Sequence, residues 1–182
     1  MSTHALIIVD IQNEYFPDGK LPLVHIHEAA DNAASVLKAA RQKDHTIIHI
    51  RHEGASKDAE RFTPNSKGAQ INPIVQPKDS ETVLTKHYPN AFRDTPLKQI
   101  LDDKGIDSIT VIGAMSHMCI DATVRAGFDY GYTVTVVHDA CTTMDLTFNG
   151  IDVPAVQVHA AIMAAFDFMA IDLVTTKDWL AR

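Results

Sequence analysis

Ser108-Ile-Thr-Val-Ile112, followed by Gly113-Ala-Met-Ser-His-Met-Cys119 and then Ile120-Asp-Ala-Thr-Val-Arg-Ala-Gly-Phe-Asp-Tyr130, decides how this chain folds. The first run is apolar and of strand length. The last carries apolar residues at helical spacing and stops at Gly131. A buried strand feeding a helix is the unit from which parallel sheets are built. The same reading places Cys119 at a strand-to-helix turn, near the positive end of a helix dipole, where a thiolate is favoured over a thiol. A thiolate attacks carbonyl carbons, so the position suggests a nucleophile. Buried cysteines also serve as plain core filler. Position alone leaves both readings open.

Outward from this stretch, short apolar runs alternate with longer amphipathic ones. The composition predicts strands at Leu6–Val9, Thr46–Ile50, Thr82–Thr85, Ile109–Ile112, Thr133–Val137 and Phe168–Val174. Several lack polar alternation, as parallel strands buried on both faces do. Helices are expected at Glu28–Gln42, Pro96–Asp103, Ile120–Tyr130 and Pro154–Asp167. Thr95-Pro96 starts one of them and Gly105 closes it. Thr175 or Thr176 caps a short last helix reaching Trp179 and Leu180. The pattern is an α/β fold with a parallel sheet between helical layers. No repeat or Pro/Gly-rich linker marks a boundary, so residues 1–182 are read as a single domain. Residues 52–80, rich in polar residues, Gly and Pro, leave the carboxyl edge of the sheet, where ligands bind in such folds. A lid and a partner-docking segment are equal readings of them.

The 182 residues suffice for a full core. At 46% hydrophobic and 21% charged the chain has a soluble protein's balance, and a net charge of -7 argues against nucleic acid as partner. No apolar stretch approaches a membrane span, and no secretory leader precedes Ala5-Leu-Ile-Ile-Val9. Cys119 and Cys141 make no disulfide framework and lack metal-ligand spacing. The expectation is a cytoplasmic protein without membrane partner.

Two further residues join Cys119. Asp10 ends the first strand and Lys86 the third, so both emerge at the edge where Cys119 lies. An aspartate there is commonly a turn residue and a lysine commonly a solvated one. Together they form a coherent set: Asp10 as general base, Lys86 as the cation that stabilises both charges, and Gln12 to orient the carboxylate. No dinucleotide or phosphate-binding glycine motif is present, and Ser116 lacks the Gly-x-Ser-x-Gly elbow. His25, His27, His49, His52 and His87 show no recognised metal spacing with a carboxylate, so no metal and no cofactor is expected. His117 is a candidate pocket wall or auxiliary acid/base, and Cys141 is expected to pack. The nearly uncharged segment Ala155–Met169 reads equally as a core helix or as one buried against a neighbour.

Three motifs carry a resemblance over nearly the whole chain: Ile8-Val-Asp10-Ile-Gln12-Asn13, Lys86-His-Tyr-Pro-Asn-Ala-Phe92, and Gly113-Ala-Met-Ser-His-Met-Cys119-Ile-Asp-Ala-Thr123. With Gly131-Tyr-Thr-Val-Thr-Val-Val-His-Asp139-Ala140 behind them, the chain resembles the isochorismatase-like cysteine hydrolases. The resemblance implies a three-layer α/β/α sandwich with a six-stranded parallel sheet of order 3-2-1-4-5-6. It assigns Asp10, Lys86 and Cys119 to the family's catalytic triad. It implies a cis peptide at Ala114–Met115, with the Met115 and Cys119 amides forming an oxyanion hole. Metal-binding members carry Asp-x-His after the second strand, where this chain has Arg51-His-Glu53. Members commonly form homodimers or tetramers.

The leading expectation is thus a metal-independent amidohydrolase that cleaves a C–N bond of a small-molecule substrate through a Cys119 acyl-enzyme. The alternatives are a vinyl-ether hydrolase using Asp10 as acid and a non-catalytic binding module of the same fold. Gln12, Tyr15, Phe16, His52, Tyr88, Phe92 and His117 are the expected substrate-pocket walls. The third strand lies two places from the first in that order, about 10 Å away, so Lys86 has to reach inward.

Overall fold

The computed structural model describes residues 3–182. In chain order its regular elements are β1 (His4–Val9), α1 (Ile26–Gln42), β2 (Thr46–His52), β3 (Thr82–Lys86), α2 (Leu97–Asp103), β4 (Ser108–Ala114), α3 (Asp121–Asp129), β5 (Thr133–Thr142), β6 (Leu146–Phe148), β7 (Ile151–Val153), α4 (Ala155–Phe168), β8 (Asp172–Val174) and α5 (Thr176–Leu180). Six strands form one parallel sheet in the order β3-β2-β1-β4-β5-β8. This is the expected order, with β8 as the sixth sheet strand because the antiparallel hairpin β6–β7 intervenes.

The centre of the sheet follows from composition. Ala5-Leu-Ile-Ile-Val9 in β1 has no polar side chain and is wholly buried, which is stable only with layers on both faces. On one face α1 and α5 pack Val36, Leu37 and Trp179 onto Leu6 and Ile8. α1 fits there because Ile26, Ala30, Ala33, Leu37 and Ala40 recur on one stripe. On the other face Leu101 of α2, Val124 of α3 and Phe166 of α4 meet Ile7 and Val111.

Boundaries shift where tertiary packing overrides the local pattern. β5 runs on to Thr142, and β8 begins only at Asp172 because α4 continues to Phe168. Thr95 Oγ1 accepts from Leu97 N at 3.3 Å at the start of α2, and of the two last-helix candidates Thr175 is the cap, accepting from Asp178 N. α4 is a core helix through Val158, Met163 and Phe166, yet it turns Val156 and Phe168 outward, the latter 94% exposed. Residues 52–80 are more ordered than their composition suggests. Gly68, Gln70 and Asn72 hydrogen-bond to Glu14, Asn13 and Ile11 as a short antiparallel ladder, and a 3₁₀ turn follows at Pro73–Val75. No helix of the described residues is long and apolar enough to cross a membrane.

Candidate active site

Three strand ends converge. Asp10 follows β1 with φ 53°, a turn out of the strand direction, and its amide still bonds Ile50 O of β2 at 3.0 Å. Lys86 is the last residue of β3, in register with His52 of β2. Its stem crosses the end of β2, and Nζ stops 2.7 Å from Asp10 Oδ2 and 3.1 Å from Cys119 Sγ. His52 Nδ1 lies 3.3 Å away. An ammonium has three donors, and here each faces one acceptor. The gap left by the intervening strand is bridged by the length of the lysine side chain. Asp10 is 0%, Lys86 1% and Cys119 6% exposed.

Cys119 sits in a π-helical turn, Ser116–Ile120, that leads from β4 into α3. Such turns are rare and concentrate at functional sites. Strand β4 reaches this turn through Gly113, whose φ is +128° and where a Cβ would lie 1.9 Å from Val9 O. Only glycine lets β4 lie that close to β1, and the contact holds the nucleophile turn beside Asp10. The Ala114–Met115 peptide is cis. Ser116, fully buried, pairs through Oγ with His159 Nδ1 at 2.8 Å.

The electrostatics correct one expectation. The helix dipole does not leave Cys119 as a resting thiolate: burial, with the Asp10 charge beside it, pushes the thiol up to about 12 against the opposing pull of Lys86. Burial also disfavours the Lys86 ammonium, but Asp10 and then Cys119 outweigh it and hold that group above its ordinary value. His52 is lowered by burial and then by Lys86, so it stays neutral and accepts from Nζ. The resting site is a thiol beside a carboxylate–ammonium pair, with the buried Asp10 carboxylate next to both Lys86 and Cys119.

The candidate pocket residues divide. Tyr15 is buried near Asp10 and Cys119, and burial followed by those charges raises its hydroxyl well above the usual phenol range. His52 touches Lys86. Gln12 does not orient the Asp10 carboxylate; its side-chain bonds go to the backbone of His52 and Ala69. Phe92 is a core residue packed against Tyr130 and Tyr132. Phe16 packs on His27, and Tyr88 is partly exposed under the Arg93 guanidinium. His117 is tied to Thr143 Oγ1 at 2.6 Å. A cleft of about 320 Å³ lined by Val24, Cys141, Thr143 and His159 lies beside the turn, and no triad residue lines it. Phe62 and Glu14, which pattern reading missed, stand next to the site: Phe62 packs edge-on against Tyr15 and His52, and Glu14 Oε1 accepts from Phe62 N at 2.8 Å. No periodic signal marks Phe62 within its irregular segment.

The end of β2 does not fit a metal. Arg51 brings a cation, His52 Nδ1 faces the Lys86 ammonium, and among the described residues no three His, Cys, Asp or Glu side chains converge.

Residues 4–167 match the isochorismatase domain model. The chain belongs to the isochorismatase family. This isochorismatase-family hydrolase is 43% identical to the uncharacterized isochorismatase family protein YddQ of Bacillus subtilis over 98% of this chain and 99% of that one. It is 36% identical to the secreted isochorismatase effector Isc1 of Verticillium dahliae over 96% and 88%. It is 30% identical to streptothricin hydrolase of Streptomyces noursei over 78% of this chain and 50% of that one. A crystal structure of an isochorismatase hydrolase from Oleispira antarctica superposes with a TM-score of 0.95 at 45% identity over the full length of both.

Proposed function

We propose that this isochorismatase-family hydrolase is a cysteine amidohydrolase acting on a C–N bond of a small molecule. The observation that carries the reading is the Lys86 ammonium shared between Asp10 at 2.7 Å and Cys119 at 3.1 Å in a buried site. Because the thiol is held protonated, attack requires a base at hand, and Asp10 is that base. Asp10 takes the Cys119 proton as the Sγ–C bond forms. The Met115 and Cys119 amides receive the oxyanion. The C–N bond then breaks, and the amine leaves with the proton held by Asp10. Water, deprotonated by Asp10, attacks the thioester and releases the acid, and the thiol is restored. Lys86 keeps the pair charged throughout. The relationship to streptothricin hydrolase supports C–N chemistry.

The identity to Isc1 favours a second reading, hydrolysis of a vinyl ether with Asp10 as acid. One experiment separates them: ammonia release from a panel of small amides, ureides and lactams, and product formation from a vinyl ether, each with native protein and Cys119→Ala. Amide hydrolysis that disappears in the variant supports the thiol mechanism. Hydrolysis that persists in the variant overturns it.

A further inference from the structure

With its triad 0–6% exposed, the protein shows little of the reacting centre to solvent, and movement of a neighbouring segment would widen the approach of a small molecule to Sγ. Residues 53–67 carry no regular secondary structure. Both flanks of this segment are tied to one side chain. Gln12 Oε1 accepts from His52 N at 2.8 Å, while Nε2 donates to His52 O at 2.8 Å and to Ala69 O at 2.7 Å. From Gly68 onward the chain is held by its ladder to residues 11–14. A loop with joined ends is a compact surface unit of the kind that carries function.

The middle is held chiefly at Phe62. Its ring meets Tyr15 at 5.1 Å and His52 at 5.3 Å, both edge-on, and these two rings lie against the triad. Its carbonyl accepts from Gly54 N at 2.9 Å, and its amide donates to Glu14 Oε1. Phe62 has φ 50°, a conformation a bulky residue keeps only when its surroundings impose it. Glu14 is 3% exposed, and its oxygens accept from the backbone amides of Phe62 at 2.8 Å and Lys20 at 3.4 Å. Gly68 passes so close that a Cβ there would lie 2.1 Å from Glu14 Oε2. A buried carboxylate satisfied by loop amides is costly unless those amides are in place.

We propose that residues 54–67 are a lid over the triad, with Phe62 as its plug, Glu14 as its latch and Gln12 as the tie that keeps its ends fixed while it opens. Opening breaks the Phe62–Glu14 hydrogen bond and lifts the ring from Tyr15 and His52. The exposed bonds from Lys20 Nζ to Glu60 O, 2.8 Å, and from Asn13 Nδ2 to Lys67 O, 2.9 Å, are further ties and are open to solvent. The inference rests on the triad being the reacting centre, and Glu14 acts in it as a positioning residue.

The test is alkylation of the full-length protein by iodoacetamide, followed by peptide mass at Cys119 and at Cys141, a buried thiol that serves as internal reference. Phe62→Ala, which removes the ring but keeps the amide, and Glu14→Ala, which removes one charge-assisted hydrogen bond, should each speed labelling of Cys119 about tenfold and leave Cys141 slow. Glu14→Gln keeps a carbonyl acceptor for the Phe62 amide and should fall between Glu14→Ala and the native protein. An unchanged Cys119 rate in Phe62→Ala, which leaves Glu14 in place, overturns the lid. Equal acceleration at both thiols overturns it too, since that reports general loosening. The readout needs no turnover, so failure of the hydrolytic mechanism appears separately, in the substrate panel.

Discussion

Lys86 and Asp10 meet at 2.7 Å, wholly buried, although the strands that carry them are separated by another strand. A buried ion pair is weak evidence for stability, but breaking it strands a charge. Lys86→Met should therefore cost about 3–5 kcal/mol and abolish turnover. Pairing it with Asp10→Asn should restore much of the stability and none of the activity. Urea denaturation of the two variants and the double variant checks this; a double variant no more stable than Lys86→Met alone would show that the cost comes from packing.

Both thiols give the protein an alkaline weakness. Burial raises Cys119 and Cys141 from 9.0 to about 12. Between these values the unfolded chain has lost protons that the native state keeps, so it binds fewer protons and stability falls as pH rises. Cys141→Ala, which leaves the triad intact, should flatten that fall. Denaturation midpoints at about pH 8 and about pH 10.5 for both proteins would show it, and parallel slopes would refute it.

At the opposite edge of the sheet, Glu81 joins α1 to β2 and β3. It bonds Arg41 Nε at 2.7 Å and the buried His49 Nε2 at 3.0 Å. Burial pushes the Glu81 carboxyl up, but the Arg41 guanidinium and the Lys78 amide outweigh it and hold it at about 2, below its ordinary 4.5. Burial lowers His49 below 6.5. In both cases the unfolded chain takes up protons first, so stability is present at neutral pH. It declines below about 6.5 through His49, then below about 4.5 through Glu81, down to about 2. Glu81→Gln should cost about 1–3 kcal/mol at neutral pH and remove the lower part of the decline, measured by melting against pH.

Gly113→Ala should separate the central strands. A Cβ at 1.9 Å from Val9 O, at φ +128°, cannot be absorbed by a side-chain rotation. A loss of about 3 kcal/mol or more is expected. Gly131→Ala, where φ is also positive but nothing lies within 4 Å, should cost less. Equal costs would place the penalty in backbone conformation and not in the β1–β4 approach.

Much of this architecture could be read from composition because strands buried on both faces have to be apolar throughout. Leu6–Val9, Thr46–Ile50 and Ile109–Ile112 announce themselves, and Asp10 after the first strand, Lys86 at the end of the less buried third and Cys119 in the turn after the fourth stand out as chemical groups on one side of the sheet. The hairpin β6–β7 was not legible, since its residues are mostly exposed and no buried face imposes alternation. Nor was the fate of Phe92, whose place in the core depends on Tyr130 and Tyr132 arriving from beyond α3.

Local order therefore dictated the layers, the strand ends and the three groups that meet there, because burial periodicity and turn position act over a few neighbouring residues. Tertiary structure alone decided that the thiol stays protonated, that Gln12 holds backbone instead of Asp10, and that Glu14 reaches Phe62 across 48 positions. Desolvation and hydrogen-bond pairing depend on what the rest of the chain brings alongside, and no stretch of sequence carries that information about its own surroundings.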